Sequence, residues 1–171
     1  MELIYMTEIH EDQRLGVFVD VQNMYYSAKN LYSAKVDFKK LLDKAVINRD
    51  LVRASAYVIK ADTPDEENFF DALRNIGYEV KIKELKEFYS GDKKGDWDLG
   101  MSVDMIQQAK KLDTVVLVTG DGDFAVLVDH LKAMGCRVEV MSFGRSSAKE
   151  IRESASKFID MDENEDKFLV D

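Results

Sequence analysis

Short apolar runs alternate along this chain with stretches of helical periodicity, and few folds accommodate that alternation. The runs Leu-Gly-Val-Phe-Val-Asp at 15–20, Val-Arg-Ala-Ser-Ala-Tyr-Val-Ile at 52–59, Thr-Val-Val-Leu-Val-Thr at 114–119 and Arg-Val-Glu-Val-Met-Ser-Phe at 137–143 read as buried strands. Tyr-Glu-Val-Lys-Ile-Lys at 78–83 alternates and reads as a strand with one wet face. Helices are predicted over 22–32, 37–46, 97–111, 124–134 and 146–154, with a last short strand over 157–161. A further helix opens at Thr63-Pro64-Asp65-Glu66, with Thr63 as its cap, Pro64 in its first turn and Glu66 completing a capping box. Phe69, Phe70, Leu73 and Ile76 form its buried stripe and Gly77 its stop. Strands alternating with helices predict an α/β fold: a mostly parallel central sheet, right-handed crossovers and helices on both faces.

At 171 residues the chain fits one domain, expected over 15–161, with a peripheral segment at 1–14 and a solvated acidic tail at 162–171. No apolar run approaches the roughly 18 to 20 residues that span a bilayer, so no membrane association is expected. The acidic start Met1-Glu2 does not read as a secretion signal. Cys136 is the lone cysteine, which suits a reducing cytoplasm, and with two histidines it disfavours a structural zinc site. The net charge of −9 counts against a general nucleic-acid binder. Metal-binding aspartates, however, add to that total and are offset once cations bind.

In open parallel sheets, ligands sit outside the carboxyl ends of the strands. The first strand ends at Asp20, followed three residues later by Asn23. The strand over 114–119 runs into Gly120-Asp121-Gly122-Asp123-Phe124, whose glycines allow a tight turn. If these strands are neighbours, three carboxylates face one volume. A like-charge pair at about 4 Å costs on the order of 4 kcal/mol at an effective dielectric near 20. Either a carboxylate takes up a proton or a cation enters. All-oxygen ligands favour Mg²⁺ or Mn²⁺, which bind phosphate oxygens and activate water. Each residue also has a plainer role: Asp123 as a helix cap, Asp121 as a turn former, Asn23 as a helix-start residue, Asp98 as a favourable charge at the start of the helix from 97. Asp104 lies about 120° around that helix from Asp98, so the two are not expected to point at one ion; Asp104 is a candidate either for supporting a ligand from behind or for contacting a basic group. Spacing alone also fits a response-regulator or haloacid-dehalogenase-type phosphate site, although no Asp-x-Asp follows the first strand.

Three blocks, Val17-Phe-Val-Asp-Val-Gln-Asn-Met-Tyr-Tyr26, Lys94-Gly-Asp-Trp-Asp-Leu-Gly-Met-Ser-Val-Asp-Met105 and Leu117-Val-Thr-Gly-Asp-Gly-Asp-Phe124, resemble the NYN domain family in its LabA-like branch, within the PIN-like nucleases. The likeness spans about residues 15–160. It implies a PIN-like three-layer sandwich and a metal-dependent ribonuclease site. On that likeness Asp20 and Asn23 match the first-strand aspartate and its companion asparagine, Asp98 the central acidic residue, and Asp121 and Asp123 the closing pair. Val21 stands where many relatives have glycine, and Gly122 where serine is frequent.

The resulting expectation is hydrolysis of phosphodiester bonds in single-stranded or loop RNA, with Asp20, Asp98, Asp121 and Asp123 holding Mg²⁺ or Mn²⁺ and Asn23 orienting a ligand or phosphate. Lys94, Thr119 and Arg145 are the expected substrate-binding residues, Thr119 through a carboxylate. Tyr25, Tyr26 and Trp97 are candidates for base stacking as well as for core packing. The alternative expectation is a catalytically idle module that binds RNA or a protein partner. Pairing of two copies as a homodimer is one way to lengthen a basic groove.

Overall fold

The computed structural model describes residues 10–87, 93–94 and 96–171. The first strand, β1 (Arg14–Asp20), leads into α1 (Val21–Tyr32) and α2 (Phe38–Val46). Then come β2 (Asp50–Lys60), α3 (Glu66–Ile76) and β3 (Glu79–Glu84). A two-residue antiparallel pair, β4 (Lys86–Glu87) with β5 (Lys93–Lys94), precedes α4 (Asp98–Ala109) and β6 (Thr114–Val118). The chain closes through α5 (Ala125–Ala133), β7 (Arg137–Ser142), α6 (Lys149–Ser154) and β8 (Lys157–Asp160).

Six strands form one sheet in the order β3-β2-β1-β6-β7-β8, every neighbouring pair parallel. The chain winds outward from β1 in one direction and from β6 in the other. β1 and β6 therefore flank the point where strand order reverses, the place where open α/β sheets carry a crevice.

Period-two alternation splits the core into two layers. Val17 and Val19 of β1, Ala56 and Val58 of β2 and Val116 of β6 face Met24, Leu41, Phe70 and Leu73 from α1, α2 and α3. Phe18, Tyr57, Val115, Leu117 and Val140 face the other way, toward Met101 and Met105 of α4, Leu131 of α5 and Ile151 of α6. Both faces are dry, which is why these strands read as unbroken apolar runs. The three-layer α/β sandwich expected from the sequence is the observed one. Among the described residues no helix is long and apolar enough to cross a membrane.

Three local expectations are corrected. α3 does not take Thr63 as its cap: Asp65, in the left-handed region at φ 64°, precedes the helix and makes no side-chain cap. Instead the Glu66 carboxylate reaches back and accepts from the amides of Ala61 and Asp62, tying down the loop before the helix. The helix expected over 146–154 is shorter, because a 3₁₀ turn at Gly144–Ser146 comes first. The acidic tail is not a free solvated end. After a 3₁₀ stretch over Met161–Lys167, Phe168 and Leu169 are buried against the α1–α3 layer. Phe168 O accepts from Asp37 N, and Val170 N donates to Lys35 O. Glu163, Asp166 and Asp171 stay exposed while two large apolar side chains leave water, and burial of the latter decides the path.

Candidate metal centre

Asp20 leaves β1 with extended backbone and caps α1, its Oδ1 accepting from Asn23 N at 3.2 Å. Register pairs Val19 with Val118, so the residues just beyond them also meet. The hydroxyl of Thr119, fully buried, donates to Asp20 Oδ2 at 3.1 Å and accepts from Asp121 N at 3.2 Å. Asn23 completes the clasp by accepting Gly120 N on its Oδ1 at 2.9 Å. The β1 and β6 exits are thus locked together by side chains.

Beyond Gly120 the chain makes a 3₁₀ turn at Gly122–Phe124, with Asp121 Oδ1 accepting from Asp123 N. Phe124 anchors the turn in the α4–α6 layer. Asp123 does not cap α5: Phe124 holds that position with no side-chain cap. Asp98 opens α4 next to Trp97, whose indole donates to Val58 O at 2.8 Å and packs edge-on against Tyr57. A side chain at Gly100 would strike the Trp97 ring at 2.6 Å, so glycine there lets the indole fold under the helix start.

This scaffold brings Asp98, Asp121 and Asp123 together, each with one carboxylate oxygen within 4.8 Å of the others. Around one Mg²⁺ adjacent ligand oxygens lie about 3 Å apart and opposite ones about 4.2 Å, so the three are near enough for side-chain rotation to bring them onto one ion. Among the described residues no lysine or arginine pairs with any of the three. Burial, then the charges of Asp121, Asp96, Asp20 and Asp123, push the Asp98 carboxyl up to about 6. Asp20 is also raised: burial leads, opposed by the bonds from Asn23 and Thr119, with Asp121 and Asp96 adding to it. Unpaired, mutually repelling carboxylates of this kind fit a divalent cation with oxygen ligands. Asp20 is outside the three-residue cluster but borders the same cavity, of about 330 Å³, with Asp98 and Asp121.

The other expected site residues fare variously. Asn23 and Thr119 hold the loops together; Thr119, with no exposure, has the expected hydrogen bond to a carboxylate, Asp20, and also accepts from Asp121 N. Arg145 is paired with Asp162 at 3.3 Å and lies over the Tyr32 ring. Lys94 has its backbone in β5, and its side chain lies outside the described residues. Asp104 accepts from the Tyr57 hydroxyl at 2.8 Å and approaches Lys81 Nζ at 3.8 Å, away from the cluster. Burial, then that carboxylate, raises the Tyr57 hydroxyl far above its ordinary value, so it stays a donor. Asp96 was not singled out among the site residues, yet it lines the cavity and presses on both Asp20 and Asp98. The Asp96-Trp97-Asp98 doublet was its signal in the sequence.

The model of the NYN domain matches residues 14–162, all six sheet strands and the whole cluster included. The chain belongs to the NYN domain family. This is a family of nuclease-like domains. The chain is 32% identical over 159 residues to the low amplitude and bright protein LabA of Synechococcus elongatus (strain ATCC 33912 / PCC 7942 / FACHB-805), covering 88% of this chain and 84% of LabA. Among solved structures it is similar to a protein of unknown function from Vibrio parahaemolyticus RIMD 2210633, with a TM-score of 0.86 and 32% identity, covering 96% of this chain and all of the other.

Proposed function

We propose that this NYN domain is a cytoplasmic, metal-dependent ribonuclease that hydrolyses phosphodiester bonds in single-stranded or loop RNA. The observation carrying this reading is the convergence of Asp98, Asp121 and Asp123 at the strand-order reversal with no basic partner among the described residues. These three, with Asp20 beside them, would hold Mg²⁺ or Mn²⁺. Such an ion lowers the pKa of water and neutralises charge gathering on phosphate. The protein's own part is positional. Thr119 and Asn23 fix the β6 exit against Asp20, so the carboxylates do not have to be gathered when substrate arrives. Trp97, wedged between Tyr57 and Gly100, does the same for Asp98. No side-chain nucleophile is needed: His130 is exposed on α5, outside the residues lining the cavity.

A second reading has one observation in its favour. Among the described residues no lysine or arginine lines the cavity, as a regulatory module without turnover would allow. Incubating the purified protein with mixed RNAs and Mn²⁺ or Mg²⁺, beside Asp20→Asn and Asp121→Asn, separates the two. Metal-dependent cleavage by the wild type that drops at least 100-fold in both variants is the expected outcome. RNA binding without cleavage would establish the module instead, and cleavage unchanged in both variants would mark a contaminant.

A further inference from the structure

The crevice is larger than an ion requires. Beside the carboxylates it is bordered by one stripe of α1, with Asn23, Tyr26 and Asn30 at successive helical turns and Leu31 beside them, and also by Ile59 and Trp97. The rise from Asn23 to Asn30 is about 10 Å, and the volume of about 330 Å³ is at the lower end for small-molecule sites. That holds one base with its ribose and not a base pair. Charge decides which part of a nucleotide belongs there. With Asp20, Asp96, Asp98 and Asp121 on the wall and no lysine or arginine among the described lining residues, that wall repels phosphate except where a cation bridges, and accepts the neutral base. Tyr26 is 51% exposed, an aromatic ring the core has not consumed. Asn30 is exposed with no hydrogen-bond partner among the described residues, so its amide has both a donor and an acceptor to offer a base edge.

We propose that this cavity seats one unpaired nucleobase next to the phosphate that is cut, stacked on Tyr26 and read by the amide of Asn30. The adjoining phosphate rests on the ribonuclease reading; the base site itself does not. Trp97, pinned by Val58 O and Tyr57, gives the cavity a second aromatic wall, held in place.

Adenosine, guanosine, cytidine and uridine carry no phosphate and test the site directly. Titrated into the full chain without metal and followed by NMR, they should shift the amide signals around Tyr26 and Asn30, to different degrees for the four bases. Tyr26→Ala should weaken this binding by about 5- to 150-fold, the range that loss of one base–aromatic stack implies. Asn30→Leu should level the four nucleosides, and in RNA cleavage it should flatten the sequence profile at the cut sites. Both side chains face solvent, and an unchanged melting temperature verifies that each variant is folded. Nucleoside binding that survives in a protein showing no cleavage would sink the ribonuclease reading and leave the base site standing. Cleavage with no nucleoside shifts at α1, or shifts indifferent to Tyr26→Ala, would overturn the base site alone.

Discussion

Asp98 carries a charge that its surroundings resist, and the direction of that resistance sets a measurable pH dependence. Its carboxyl titrates near 6 in the folded chain, against 3.8 for the ordinary group. Between those values the folded state holds more protons than the unfolded one, so stability falls as pH rises through the window from about 4 to 6 and stays lower above it. A divalent ion relieves the same repulsion. We therefore predict that Mn²⁺ raises the melting temperature more at pH 7.5 than at pH 5, and that Asp98→Asn raises the ion-free melting temperature at pH 7.5 while shrinking the Mn²⁺ shift. Thermal unfolding at the two pH values checks this; an equal Mn²⁺ shift at both would contradict it. Asp20, Asp98, Asp121 and Asp123 were legible in the sequence because strand ends and a helix start place them. So was the contact of Thr119 with a carboxylate, since it ends the run that leads into Asp121. Asp96 was not: it lies outside any periodic segment, and no period tells which way its side chain turns.

The β6–α5 turn shows what one loop can demand of its neighbours. A Cβ at Gly122 would meet the Ala148 Cβ at 2.8 Å and Glu150 Oε2 at 3.0 Å. The absence of a side chain at 122 is thus matched to the approach of α6. Installing a serine, Gly122→Ser, should cost about 1–3 kcal/mol by overpacking and displace Asp121 or Asp123. Ala148→Gly in the same chain should recover much of it. Denaturant unfolding of the two singles and the double gives the coupling; strictly additive effects would refute the contact. Such matching is invisible in the chain taken alone, since 122 and 148 belong to different elements. Capping shows the same blindness. Thr63-Pro64-Asp65-Glu66 carries a capping-box pattern, yet Glu66 spends its oxygens on Ala61 and Asp62 while Asp65 occupies the left-handed region. Pattern identified the start of α3 and local competition among acceptors chose the partners.

For the molecule entire, alternation of strand and helix made the layered architecture readable, whereas the strand order was not, because nothing in an apolar run names its neighbour. The C-terminal segment is a further instance. Its acidic residues read as solvated, but Phe168 and Leu169 carry it back to α2, where Val36 bridges Leu169. Deleting residues 168–171 should therefore cost about 3–5 kcal/mol, the range for losing one large buried side chain, and lower the melting temperature by on the order of 10 °C. A truncated chain that melts with the full one would show the docking to be superficial. The pairing of β1 with β6 has a longer reach. Asp20 and its partner Thr119 are 99 residues apart, and the clasp between them joins the first strand to the fourth strand of the sheet in chain order. A ribosome must deliver the chain beyond Thr119 before that clasp can close. A nascent or proteolysed N-terminal half lacks the three clustered aspartates, and a C-terminal half lacks Asp20 and Asn23, so the clasped centre needs both halves in one folded molecule.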